Sequence, residues 1–192
     1  MRHDAGRSAS FALGPRPGRP GLAARPRVTE ASSEVLVGAP FAGPDTPLRP
    51  EWMDANGHMN LAYYVVVFDL ATDALFDALD LGHAYRERAR RALFAVEEHT
   101  LYARELRLGQ TARVRARLLG ADGKRLHLAH EMFEGEACCA MQELMFLHVD
   151  LTTRRACPFP PDAAIRLAAA VASHAGLPRP DWVGRRVGLP PG

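Results

Sequence analysis

Between Trp52 and Tyr64 the chain reads WMDANGHMNLAYY, which gathers Asp54, Asn56, Gly57, His58 and Asn60 directly before an apolar run. Three kinds of chemistry suit such a cluster: capping a helix, ligating a metal, or holding a carboxylate beside main-chain donors. The third uses every residue type present. A helix start leaves N–H groups unpaired and carries the positive end of the helix dipole, so a carboxylate placed there stands beside a receptor for a second, developing negative charge. Gly57 has no side chain and lets a bound group approach the main chain closely. Asn60 is what a helix N-cap needs, whether or not it also touches a ligand. His58 has three open roles: donating to a ligand, moving a proton, or satisfying loop backbone. The duller alternative for Asp54 is a turn residue.

A metal is not expected. His127 and His130 are three apart in a strand-like segment, which sends them to opposite faces, and neither an HExxH motif nor a Cys/His ligand spacing occurs. Phosphate-loop and dinucleotide glycine patterns are absent, so no nucleotide cofactor is implied.

Several elements must position the cluster. The segment Leu61–Leu81, LAYYVVVFDLATDALFDALDL, repeats Leu61, Tyr64, Val65, Phe68, Leu75 and Leu79 at helical spacing, with Asp69, Asp73 and Asp77 as a polar stripe and Gly82 as the stop signal. Its nearly all-round apolar character predicts a helix wrapped on most sides. Ahead of it, EVLVGAPF is a short strand candidate and AGPDTPLRP a connection; behind it, HAYRERARR suits a short helical turn. ALFAVEEHTLYAREL is a strand candidate. In TARVRARL, Ala112, Val114, Ala116 and Leu118 alternate with Arg113, Arg115 and Arg117, a period that only a strand uses. An Asp122-Gly123 hairpin leads to RLHLAHEMF, and a second turn at EGEA leads to CCAMQELMFLHV. DAAIRLAAAVASHAG predicts a terminal helix over 162–175, with Asp162 as its N-cap and Gly176 past its end. The order specifies the α+β class, with one antiparallel sheet of about five strands around one long central helix and an extra C-terminal helix.

Composition bounds the rest. A chain of 192 residues, 47% hydrophobic, suits one folded domain over 35–192. Residues 1–34, rich in Arg and Pro, are expected to be a disordered tail; the prolines would break a presequence helix and there is no secretory apolar core. With 24 Lys and Arg against 22 Asp and Glu, nucleic acid is not an expected partner. No window approaches the roughly 18 apolar residues of a membrane span. Cys138, Cys139 and Cys157 cannot all pair, which suits a reducing cytoplasm.

The order of elements, DANGHMNLAYYVVVFD leading into the long helix, and the later VEEHTLYARELRLGQTARVRARL resemble the hot-dog acyl-CoA thioesterases of the 4-hydroxybenzoyl-CoA thioesterase type over roughly 35–160. The Asn-Gly-His-Met-Asn variant is most similar to the betainyl-CoA thioesterase subgroup. The resemblance implies hydrolysis of an acyl-CoA thioester, with coenzyme A as part of the substrate and no separate cofactor. Asp54 is then the nucleophile or general base, His58 a second catalytic candidate, and the amides around Gly57, His58 and Leu61 an oxyanion hole. Asn56, Gly57, Asn60, Leu61, Tyr63 and Glu98 become substrate-binding candidates, with Tyr63 and Tyr64 also explained by packing. Glu97, Glu98 and His99 alternate in a strand, so either Glu98 alone or Glu97 with His99 faces the pocket. A cationic acyl group would need acidic or aromatic walls, which Glu97 or Glu98 with Tyr102 would supply. Arg113, Arg115 and Arg117 form a solvated sheet face or contact coenzyme A phosphates. The resemblance also implies a homodimer, or a dimer of dimers, with the pocket between two chains. A hot-dog hydratase or dehydratase and a non-catalytic acyl-binding domain are the competing functions.

Overall fold

The computed structural model describes residues 37–189; the tail expected over 1–34 lies outside the described residues. Two-residue strands β1 (Phe41–Ala42) and β2 (Thr46–Pro47) and a 3-10 turn at Pro50–Trp52 lead to α1 (Leu61–Ala78) and α2 (His83–Ala89). Four long strands follow, β3 (Arg91–Tyr102), β4 (Thr111–Ala121), β5 (Arg125–Glu134) and β6 (Ala137–Asp150), then β7 (Arg155–Ala156) and α3 (Pro161–His174). The sheet order is β1-β4-β5-β6-β3, and every pairing is antiparallel.

The period-two reading of TARVRARL holds: Ala112, Val114, Ala116 and Leu118 are buried on the face that carries the helices, while the arginines point outward. Register extends the division across the sheet, because directly opposed residues share a face. Ala116 opposes His130, which opposes Gln142, which opposes Thr100, so one row of inward side chains crosses β4, β5, β6 and β3. His127 points the other way, to Glu143 at 2.7 Å, as the three-residue spacing requires.

The long helix departs from expectation in two respects. It is buried on one side only: Tyr64, Val67, Phe68, Ala71, Thr72, Leu75 and Phe76 pack on the sheet, whereas Leu61 is 65% and Val66 41% exposed. It is also shorter than the apolar pattern. The amide of Asp80 donates to Asp77 O and that of Leu81 to Phe76 O, a Schellman closure with Asp80 in the left-handed region where glycine is usual. The buried Leu81 supplies the hydrophobic contact of that motif, and Gly82 instead opens α2. Likewise Asp162 is not the N-cap of α3. Pro160 occupies that position, and Asp162 sits in the first turn, paired with Arg166 at 2.9 Å.

Three histidines are buried in this core: His130, His148 and His174. Burial holds His130 neutral, its pKa pushed down to about 4 despite the hydrogen bond it donates to Gln142, and pushes His148 and His174 down as well. The unfolded chain therefore binds protons that the folded chain refuses, so their stability contribution is complete above pH 6.5 and is lost as pH falls toward 4. Urea unfolding at pH 5 and pH 7 is expected to show a loss of about 2 kcal/mol at the lower pH from His130 alone; equal midpoints would contradict it.

Candidate functional site

The loop Asp54–His58 is a closed turn. Asp54 N–H donates to His58 O at 2.8 Å and Gly57 N–H to Asp54 O at 3.0 Å. The Asp54 carboxylate bends back on its own loop and accepts from the amides of Asn56 at 2.8 Å and His58 at 3.3 Å. The Asn56 amide, followed by His58, holds this carboxyl below the usual carboxylate range and so ionised at neutral pH. Gly57 turns the chain at φ 77°, a conformation that favours glycine.

Asn60 then caps α1 as expected, its side chain accepting from Ala62 N–H at 3.0 Å. Of the three amides expected to be open, those of Gly57 and His58 are spent on Asp54, while the Leu61 N–H makes no hydrogen bond among the described residues. Leu61 is the first residue of an 18-residue helix, so that N–H carries the positive end of the dipole.

The β3-to-β4 connection, residues 103–110, crosses the sheet from its β3 edge, past β6 and β5, to β4 and passes this helix start. Met59 N–H donates to Leu106 O at 2.7 Å, and His58 bridges Arg107. Tyr64 joins the connection to α1, donating from its hydroxyl to Arg104 O at 3.2 Å and accepting from Leu106 N–H at 3.0 Å. The product is an open cavity of about 370 Å³. Asp54, Met59, Asn60, Leu61 and Tyr64 line one side, and Tyr102 to Glu105 the other.

Three expected site residues therefore meet at the cavity: Asp54, Asn60 and Leu61. Asn56 and Gly57 shape the loop instead. Tyr63 stacks on Trp52 with ring centroids 5.6 Å apart. His58 stands behind the lining, its Nε2 3.0 Å from Glu105 Oε2. Arg107, first, and His58 also pull the Glu105 carboxyl below the ordinary range. Glu98 is exposed on the inward face of β3, opposite Leu144, whereas Glu97 faces outward opposite Met145 and His99 outward opposite Glu143. Between the two alternatives for this strand, the inward position belongs to Glu98 alone.

Glu105 and Arg104 are lining residues that the motif reading missed. Their signal is the crossover itself: eight residues linking the β3 edge to β4 across β5 and β6 must pass one end of the helix lying on the sheet. The arginine stripe lies on the outward face. Arg113 pairs with Asp45 at 3.2 Å, Arg115 covers the Phe133 ring at 4.7 Å, and Arg117 bonds the Pro178 carbonyl. Among the described residues, no group of three or more His, Cys, Asp or Glu is placed to hold a metal. No helix there is long and apolar enough to cross a membrane.

Comparison with known proteins supplies the context for this arrangement. The profile of the Thioesterase-like superfamily matches residues 48–167. A betainyl-CoA thioesterase of Pseudomonas aeruginosa is 41% identical over 150 residues, covering 77% of this chain and 94% of the relative. An L-carnitine dehydrogenase/betainyl-CoA thioesterase of Rhizobium meliloti is 32% identical over 160 residues, covering 82% of this chain and 32% of that longer protein. Among solved structures, a hypothetical protein of Staphylococcus aureus in complex with CoA superposes with a TM-score of 0.73 at 27% identity, over 78% of this chain and 95% of that one. A candidate thioesterase of Pseudomonas putida KT2440 gives 0.69 at 33% identity, over 80% and 99%.

The cap is separable from the chemistry. Asn60→Ala is expected to destabilise the fold by about 1 kcal/mol and Asn60→Asp by much less, read as shifts of the urea midpoint. Equal midpoints in all three proteins would remove the cap from the account.

Proposed function

We propose, for a chain that belongs to the thioesterase-like superfamily and is a thioester hydrolase of hot-dog fold, that Asp54 attacks the carbonyl of an acyl-CoA and that the Leu61 N–H receives the oxyanion. The observation that carries this reading is the shared cavity: an ionised carboxylate and an unbonded amide at a helix start line the same 370 Å³. Stabilisation of the oxyanion is commonly the largest catalytic contribution in acyl transfer, and the α1 dipole adds to it.

The low pKa of Asp54 favours nucleophile over base. A general base works best with a pKa near the working pH, and the amides of Asn56 and His58 move Asp54 away from it. A carboxylate oxygen bonds to the acyl carbon, the carbon–sulfur bond breaks, and the coenzyme A thiolate takes a proton from water. Water then hydrolyses the resulting anhydride and restores the carboxylate. The betainyl-CoA relatives make betainyl the favoured acyl group.

Assembly belongs to the same reading. Among the described residues β3, 12 residues long, pairs on one side only, with β6, and an open edge of that length invites another strand. Exposed Val96 (57%), Tyr102 (49%) and Leu61 (65%) add apolar surface around it. A second copy pairing along β3 would cover this surface and close the cavity.

Asp54→Asn keeps the loop, because its side-chain oxygen still accepts from Asn56 and His58. It is expected to lower thiol release from betainyl-CoA at least about a hundredfold, with an unchanged melting temperature; activity near wild type would sink the assignment. In single turnover in ¹⁸O-labelled water, label in the Asp54 carboxylate establishes the anhydride route, since general-base hydrolysis cannot put it there. Val96→Glu on the β3 edge is expected to turn dimers into monomers in sedimentation and to abolish most activity. A wild-type monomer with full activity would refute the two-chain site.

A further inference from the structure

The inward row of side chains ends on β3 in a hydrogen-bond chain that the hydrolytic step does not use. His130 is wholly buried, stacked on Phe68 with centroids 5.7 Å apart, and its Nδ1 lies 3.3 Å from Gln142 Oε1. Because an amide oxygen only accepts, His130 donates there, and its Nε2 is left buried without a partner. The Gln142 amide nitrogen then donates to Thr100 Oγ1 at 3.4 Å, which commits the Thr100 hydroxyl proton to Glu98 Oε1 at 2.7 Å. Every link points the same way, outward from the core to one carboxylate. A surface glutamate ordinarily samples many rotamers; this one is oriented by three bonds anchored on a buried ring.

Glu98 shares its face of β3 with Tyr102, which lines the cavity beside Asp54 and packs edge-to-face with Tyr64 at 5.2 Å. Burial, first, and then the Glu98 charge raise the Tyr102 hydroxyl pKa, so the carboxylate acts on the cavity's aromatic wall. Aromatic faces attract ammonium groups within about 6 Å, and quaternary ones are held this way because they cannot donate hydrogen bonds. A negative charge near enough to act on such a ring strengthens the attraction without demanding contact.

We propose that Tyr102 and Glu98 form a subsite for a quaternary ammonium group on the acyl chain, with Thr100 and Gln142 as positioning residues that aim the Glu98 carboxylate. The proposal rests on the thioesterase reading and assigns this chain's own residues to the cationic end of the betainyl group favoured there. It also separates two neighbouring glutamates. Glu97 points away from α1, on the outward face, and has no part in the subsite.

The test compares thiol release from betainyl-CoA with release from 3,3-dimethylbutanoyl-CoA, which has carbon in place of the quaternary nitrogen. Wild type is expected to prefer the cationic substrate in kcat/KM. Glu98→Gln still accepts from Thr100 but carries no charge, and it is expected to lower the cation-to-neutral ratio about tenfold. Thr100→Val should lose part of that ratio, while Glu97→Gln keeps it; melting temperatures establish that each variant is folded. A wild-type enzyme equally active on both substrates, or a Glu98→Gln ratio equal to wild type, overturns the subsite and leaves thioester hydrolysis standing. Thiol release from neither substrate, nor from other acyl-CoAs, overturns the underlying reading and the subsite with it.

Discussion

The start of α1 is tied down from two directions, and the site depends on both. From before the helix, Asn60 caps it and the Asp54 turn folds back on itself. From the far end of β3, the crossover is stitched to the same place through Met59 to Leu106 and through the Tyr64 hydroxyl, which bonds both Arg104 and Leu106. Without the second set of contacts, Asp54 would sit in an isolated surface loop. With them, it shares a cavity with an aromatic ring and a helix amide. Tyr64 is central because it is both a core residue, 4% exposed, and the bridge between the two segments.

The polar interior follows a different logic. Burying His130, Gln142 and Thr72 on the helix face is costly unless their groups are paired, and most are: Thr72 bonds Phe68 O at 3.0 Å, and Gln142 bonds on both sides. The lone unpartnered atom on that row, His130 Nε2, fits a histidine held neutral. The row thus exchanges some apolar packing for a directional chain that ends at the Glu98 carboxylate. Buried histidine is the element whose protonation would undo it.

Much of the fold was legible locally. A period of two in the β4 arginine segment, Asp-Gly at the β4–β5 turn, and Asn60 before an apolar run each depend on neighbours a few residues away, and all appear in the structure. The errors have a common cause. Helix α1 stops at Ala78 because Asp80 adopts a left-handed cap that apolar periodicity does not encode, and its exposed side follows from a sheet that covers only one face of it. Helix α3 starts earlier, at Pro161 with Pro160 at the cap, because proline suits the first helical position, so Asp162 falls inside the first turn and pairs with Arg166.

The sequence by itself determined the candidate carboxylate, the helix start beside it, and the alternation that allows only one of Glu97 and Glu98 to face inward. Each of these is a matter of spacing along one backbone. Tertiary structure decided which amide stays unpaired, that Glu105 and Tyr102 join Asp54, and that a histidine in β5 orients a glutamate in β3. Those adjacencies come from strand register and from a connection that spans the sheet, and they bring together residues whose separation in sequence carries no record of their contact.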